Sequence, residues 1–322
     1  MLEFREKLKE EKEEDMAVYT YLSKEDINNI AKEYDLVVYS FEGVPEGILN
    51  SNYLLNTDRG RFILRVLEGN RSFESEKEEL DFLLELNKII PCTIPCETQA
   101  GETLIRYNNK LMSLFYYIDG KKIEEITPYY LKEIGILLGK LHNFSNNKVI
   151  NRKTRIDEDY YLKKINLNSV NIPKGDIDEI TKLYNKLLKI DFTSLPQGII
   201  HNDIFPDNVF VKDNRIVGIL DFNDATTAPF IFDIGIVINF WIRVKRFDSR
   251  KEREYIKIFL DAYESIRKLT SKERELLDMG ILKMALAFIL VRIDRLIVRK
   301  EENALIEEKS YKELMSLLKY FN

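Results

Sequence analysis

Between residues 198 and 221 three oxygen-bearing side chains recur at fixed spacing. The run His201-Asn202-Asp203-Ile204-Phe205-Pro206-Asp207-Asn208 sets an asparagine five residues after an aspartate, and Asp221 follows thirteen residues later. Gly198 to His201, Asn208 to Lys212 and Arg215 to Asp221 are predicted strands, the last two turning at Asp213-Asn214. A tight loop of this kind projects Asp203, and the strand pair behind it returns Asp221 toward the Asn208 amide oxygen. The fold must therefore embed short strands in a part of the chain that otherwise reads as helix.

The first third reads differently. Ser23 and Asp26 form a capping-box pattern opening a short helix to about Tyr34. Val37 to Phe41, Asn52 to Asn56 and Arg61 to Leu67 are predicted strands, the last two joined by Thr57-Asp58-Arg59-Gly60. Phe73 to Lys88 carries Leu80, Leu83 and Leu84 at helical spacing and ends before Pro91. Two further strands, Thr103 to Tyr107 and Lys110 to Ile118, meet across Asn108-Asn109. Five antiparallel strands and one main helix are expected here. Beyond Asp119-Gly120 helices dominate. Thr127-Pro128 caps one whose buried face is Ile134, Leu137, Leu138 and Leu141, and Asp176 to Ile190 forms another. Phe230 to Ile242 is apolar nearly all round, and Thr270 with Glu273 caps a helix reaching Val298. The expected architecture is α+β in two lobes, 16–118 and 119–322, behind a charged extension, 1–15, that holds eleven Lys, Arg, Glu and Asp.

Composition removes several classes. The charged fraction of 32% nets to only -5, so no footprint for nucleic acid or an anionic membrane surface is present. No stretch approaches the roughly 20 apolar residues that span a bilayer, and Met284 to Val291 reads as a buried helix segment. The two cysteines, Cys92 and Cys96, are too few for a disulfide scaffold or a four-ligand zinc site. They read as free thiols of a cytoplasmic protein.

The spaced set has a chemical reading. Phosphoryl transfer needs an aspartate to orient and deprotonate the acceptor hydroxyl, then an asparagine and a second aspartate to hold the magnesium that bridges the phosphates. Asp203, Asn208 and Asp221 supply these in order, matching the H-x-D-x-x-x-x-N catalytic loop of kinases, and Asp221-Phe222-Asn223 stands where D-F-G begins. Magnesium takes hard oxygen ligands and keeps several waters, so two protein ligands suffice. In the competing structural reading, Asp203 and Asn208 only form turns and Asp221 caps the region before Pro229. A hydrolytic metal site fails on supply, because the only other histidine, His142, lies on a predicted amphipathic helix.

ATP also needs a cradle. Glu42-Gly43-Val44-Pro45-Glu46-Gly47 joins the first two strands, with Asn50, Ser51 and Asn52 offering donors. Arg65 stands on the third strand where a phosphate-binding lysine is usual, and a guanidinium grips phosphate oxygens well. Its carboxylate partner is expected to be Glu79, with Glu76 second. Tyr116 and Ile118, closing the fifth strand, are nominated to present backbone groups to adenine.

These blocks resemble the aminoglycoside phosphotransferase and choline kinase superfamily, and within it the bacterial homoserine kinases. The likeness rests on Met16-Ala17-Val18-Tyr19-Thr20, Glu46-Gly47-Ile48, Asn50-Ser51-Asn52-Tyr53, Phe62-Ile63-Leu64, and Leu195 to His201 continuing through Phe205-Pro206-Asp207-Asn208-Val209-Phe210. The resemblance implies a protein-kinase-like fold, ATP and Mg2+ as cofactors, and a small-molecule alcohol as substrate. It also implies that Asp203 is the base, that Asn208 and Asp221 are metal ligands, and that Asp233, with His201, braces the loop. Asp207 shapes the loop rather than binding metal.

Departures fall where an acceptor would be chosen. Asn223-Asp224-Ala225-Thr226 replaces the aromatic residues usual after the metal-binding Asp-Phe. Near the carboxyl end Arg292 survives, while Ala287, Asp294 and Arg295 break the pattern. Asn239 and Trp241 match, with Ile242-Arg243 replacing Cys-Phe. Asp224, Trp241 and Arg292 are the nominated acceptor contacts. Homoserine is the leading acceptor, an aminoglycoside, amino alcohol or sugar the alternatives, and a catalytically silent nucleotide-binding protein the reading from another class.

Overall fold

A computed structural model describes residues 20–44, 50–68, 72–152, 162, 172–302 and 311–321, with the backbone alone for 295–302. The charged segment 1–15 and the blocks at 16–19 and 45–49 lie outside the described residues. Contacts divide the chain into two units, Met1–Asp119 and Gly120–Asn322.

The first unit is built on a five-stranded antiparallel sheet. Its strands are β1 (Val38–Val44), β2 (Asn50–Thr57), β3 (Gly60–Leu67), β4 (Ile105–Tyr107) and β5 (Lys110–Tyr116), in the order β1-β2-β3-β5-β4. Two asparagines make the β4–β5 hairpin: Asn108 and Asn109 have φ of 48° and 64°, the left-handed pair that a two-residue turn requires. Strand alternation gives the sheet two different faces. On one, Tyr53, Leu55, Phe62, Leu64, Val66, Met112 and Leu114 pack with Leu22, Ile27, Ile30, Ala31 and Tyr34 in a single apolar cluster. Of these partners Ile27, Ile30 and Ala31 lie on α1 (Lys24–Glu33) and Tyr34 closes it, while Ser23 and Asp26 cap its N-terminus reciprocally. Helix α1 is the short helix expected from the capping box, and it covers the sheet. The other face carries Asn52 opposite Arg65 opposite Ser113, and Leu54 opposite Ile63 opposite Phe115. Helix α2 (Phe73–Leu86) brings Glu79 to that face.

The second unit holds α3 (Pro128–Ser145), capped by Thr127, and α4 (Lys174–Leu187). Helix α3 packs on α6 (Ser249–Ile266) so closely that a Cβ on Gly135 would lie 2.6 Å from the Phe259 carbonyl oxygen. The unit also holds two small sheets. Strand β7 (Gln197–Ile200) pairs with β10 (Thr226–Pro229), and β6 (Lys121–Lys122), β8 (Val209–Lys212) and β9 (Arg215–Ile219) form the other. The apolar stretch from Phe230 becomes α5 (Ile231–Ile236) and then widens into a π turn, Val237–Ile242, with every residue of both segments buried. The chain continues in α7 (Ser271–Glu302), whose Met284 to Val291 segment is buried throughout, and α8 (Tyr311–Met315). Among the described residues no helix is long and apolar enough to cross a membrane. Strands β6 and β10 have no sequence signal of their own: a lysine pair and Thr-Thr-Ala-Pro are strands only because β8 and β7 offer them open edges.

Candidate active site

Strand β7 delivers the chain to His201, where regular pairing stops. The backbone N–H groups of His201 and Asn202 both donate to the Asp233 carboxylate, each at 2.8 Å, from the first turn of α5. Asn202 is left-handed, with φ 63°, which turns the next residue back. The Asp203 N–H donates to Nδ1 of His201 at 3.2 Å, and Nε2 lies 2.9 Å from the Leu220 carbonyl. A backbone donor at Nδ1 requires a lone pair there, so the proton sits on Nε2 and is given to Leu220. Burial lowers the His201 pKa and keeps that ring neutral. One imidazole thereby ties the start of the loop to the end of β9.

Asp203 and Asn208 are locked together within the loop. The Asn208 Nδ2 donates to the Asp203 backbone oxygen at 2.7 Å and to its carboxylate Oδ2 at 2.9 Å. With the amide nitrogen so used, the carbonyl oxygen Oδ1 is the Asn208 atom turned away from Asp203. The Leu220 N–H then donates to the Asn208 carbonyl at 2.8 Å, which brings Asp221 beside it. Asp221 itself adopts φ 62° and ψ 66°, a left-handed conformation that costs a non-glycine residue about 1 kcal/mol or more. The turn aims its carboxylate, and the Asn223 Nδ2 holds one of the two oxygens at 2.5 Å. An amide oxygen from Asn208 and a carboxylate oxygen from Asp221 form a hard, mixed donor pair that fits a small divalent cation with its own waters.

The brace beneath the loop extends further than the sequence implied. Asp233 is fully buried and also receives Nε2 of His142 at 3.2 Å. Trp241, nominated as an acceptor contact, is fully buried, and its indole N–H donates to the Ile204 carbonyl at 2.8 Å. It supports the loop from within and has no surface to present, a correction to the nomination. Arg292 is half-buried and ion-paired with Glu313 at 3.3 Å. Asp224 is half-buried, its carbonyl accepting from the Asn202 side chain at 3.2 Å, and Asp207 is exposed. The Arg295 side chain lies outside the described residues.

In the first unit Arg65 lies 4.0 Å from the Glu79 carboxylate and 4.6 Å over the Phe115 ring. Glu79 is 2% exposed and Glu76 3%, so both belong to the packed side of α2 and neither to a solvated face. The polar run on β2 divides. Ser51 is fully buried, accepts from the Thr20 N–H at 3.0 Å and donates to Glu68 at 2.7 Å. Glu68 in turn holds Lys110 at 2.6 Å. The Asn50 Oδ1 accepts from the Glu68 N–H at 3.3 Å. The Ser51 side chain therefore serves the sheet, against its nomination as a phosphate donor, while Asn50 and Asn52, two residues apart, share the other face, where Asn52 stands opposite Arg65. Tyr116, nominated with Ile118 for adenine, gives its backbone N–H to the Ile94 carbonyl at 3.0 Å.

These features define the α+β, protein-kinase-like class of phosphotransferase. The sequence profile of the phosphotransferase enzyme family matches residues 40–270, and the chain belongs to that family. It is similar to the homoserine kinase of Parvibaculum lavamentivorans, at 30% identity over 95% of this chain and 96% of that protein. The homoserine kinase of Agrobacterium fabrum is 29% identical over 86% of this chain and 87% of that protein. Among solved structures, a microcompartment-associated aminopropanol kinase superposes with a TM-score of 0.68 at 17% identity, covering 91% of this chain and 93% of that one. An amicoumacin kinase in complex with AMP-PNP, Ca2+ and amicoumacin gives 0.66 at 16% identity, covering 94% and 92%. The protein is accordingly an ATP-dependent kinase acting on a hydroxyl.

Proposed function

We propose that the protein transfers the γ-phosphoryl group of ATP to the side-chain hydroxyl of L-homoserine, giving ADP and a phosphate monoester. The observation that carries this acceptor is the 30% identity to a homoserine kinase across nearly the whole of both chains. In this reading Asp203 orients the acceptor hydroxyl and takes its proton, while Asn208 fixes the carboxylate by donating to Oδ2. The Asn208 Oδ1 and the Asp221 carboxylate would hold Mg2+, which would supply charge neutralisation for the phosphoryl group during transfer. Arg65, kept extended by Glu79 and Phe115, anchors phosphate oxygens. Catalysis is then mostly positioning and electrostatic stabilisation.

A second reading has one observation in its favour. Asp224 and Asp294, both half-buried acids, stand where the resemblance places aromatic or other residues, and two carboxylates suit a cationic amino alcohol that lacks a carboxylate. The aminopropanol kinase likeness is compatible with it through the fold alone. ADP release measured with L-homoserine, 1-aminopropan-2-ol, choline, a hexose and an aminoglycoside separates the two. Homoserine should give the highest kcat/KM. A preference of tenfold or more for an uncharged or purely cationic acceptor would overturn the assignment.

A further inference from the structure

The loop brace does not end at Asp233. His142, fully buried on α3 and stacked on Phe230 at 4.6 Å, faces two hydrogen-bonding partners. Its Nδ1 lies 2.8 Å from the Tyr263 hydroxyl and its Nε2 3.2 Å from Asp233. Arg267 Nη1 donates to the same Tyr263 oxygen at 3.0 Å, and Arg267 Nη2 is ion-paired with Glu273 at 2.9 Å. Glu273 also caps α7, accepting from the Thr270 N–H at 2.8 Å and hydroxyl at 3.0 Å. Every side chain in this chain of contacts from Glu273 to Asp233 is buried.

The proton directions follow from donor chemistry. Arginine has no lone pair to offer, so Arg267 donates and the Tyr263 oxygen accepts. The single Tyr263 proton then points at His142 Nδ1, which must present a lone pair. A neutral ring in that state carries its proton on Nε2 and gives it to Asp233. With its Oδ2 so engaged, the Asp233 carboxylate is held in the orientation that takes the two N–H groups of the loop, at His201 and Asn202. The charged and titratable groups around His142 are Asp233 from α5, Tyr263 and Arg267 from the end of α6, and Glu273 from the start of α7.

We propose that Tyr263, anchored by the Arg267–Glu273 pair, is a positioning residue for phosphoryl transfer: its hydroxyl keeps His142 neutral and fixed, and through Asp233 sets the loop that carries Asp203. Without that hydroxyl, Nδ1 is free to take a second proton, and a cationic ring would pair with Asp233 and compete with the loop amides for it. The inference rests on the kinase reading only for the role of Asp203. The directions of the hydrogen bonds stand independently.

The test is Tyr263→Phe, which removes one oxygen and keeps the ring, read in two ways. In steady-state kinetics kcat should fall by roughly tenfold, the order set by one hydrogen bond, with both KM values within about twofold. In NMR the wild-type protein should show His142 as the Nε2–H tautomer, and the variant should shift the His201 and Asn202 amide resonances, which Tyr263 does not touch. The chain has two histidines, so ring assignment is direct. A wild-type Nδ1–H tautomer, or a folded variant with unmoved loop amides and unchanged kcat, would overturn the proposal. If the variant does not fold, the wild-type tautomer still decides the direction of the chain. Shifted amides in a protein that phosphorylates no tested acceptor would support the relay while counting against the proposed function.

Discussion

The two units hold their candidate residues in opposite ways. In the second unit each key side chain is over-determined: Asp203 is tied through its own N–H, carbonyl and carboxylate, Asn208 through its amide, and Asp221 through a left-handed backbone and Asn223. In the first unit the contacts of Arg65 include the Glu79 carboxylate at 4.0 Å and the Phe115 ring at 4.6 Å, on a sheet face defined by strand register. The difference is that between a loop whose side chains are set by backbone strain and directional hydrogen bonds and a sheet face where a long cation is set by charge and a ring. In the proposed reaction the first arrangement serves the reacting hydroxyl and the second the phosphates.

That comparison breaks most visibly at Asp203. Asp203→Asn should lower kcat by a factor of about 100 to 10,000 while ATP affinity, measured by calorimetry, stays within about threefold. Arg65→Ala should act on the other parameter, raising KM for ATP about 10- to 100-fold with kcat little changed, as expected for loss of a charge-assisted contact. Equal effects of both variants on kcat would erase the distinction between the units. Ser51→Ala sharpens it from the other side. Because its hydroxyl is spent on Thr20 and Glu68, the variant should lose about 1–2 kcal/mol of stability in urea unfolding and leave KM for ATP unchanged.

The smallest effect concerns pH. Burial lowers the pKa of both His142 and His201, so the folded chain stays unprotonated where the unfolded chain, with imidazoles near about 6.5, binds protons. Below that value the unfolded state takes up more protons and stability must fall; above it the histidines contribute no slope. The melting temperature should therefore decline between pH 7 and pH 5.5, and a flat or rising profile would place a charged histidine in the fold. Cys92 and Cys96, whose pKa values burial pushes up to about 12, should stay inert to thiol reagents until unfolding.

What could be read from the sequence follows the same division. The loop was legible because its residues act over a span of 21 positions, and spacing of that kind survives in one dimension. The capping of α1, the Asn108-Asn109 hairpin and the buried run from Phe230 were legible for the same local reason. Tertiary partners were not. Amphipathic α1 announces an apolar face but not the sheet it covers. Ser51 looks like a phosphate donor until Glu68 and Thr20 are brought to it. Trp241 matches an acceptor pattern, yet the π turn swings its indole onto Ile204. Tyr263 and Arg267 give no signal along the chain, since their partners lie 121 residues back and on the next helix.

The central claim, that the Asp203–Asn208–Asp221 loop phosphorylates a small alcohol, is tested most directly by phosphorus NMR of the protein incubated with ATP, Mg2+ and L-homoserine. The expected result is stoichiometric loss of the ATP γ-resonance into a new phosphate monoester signal, absent when Asp203→Asn replaces the wild type. Release of inorganic phosphate alone, or an equal monoester signal from the variant, would contradict it.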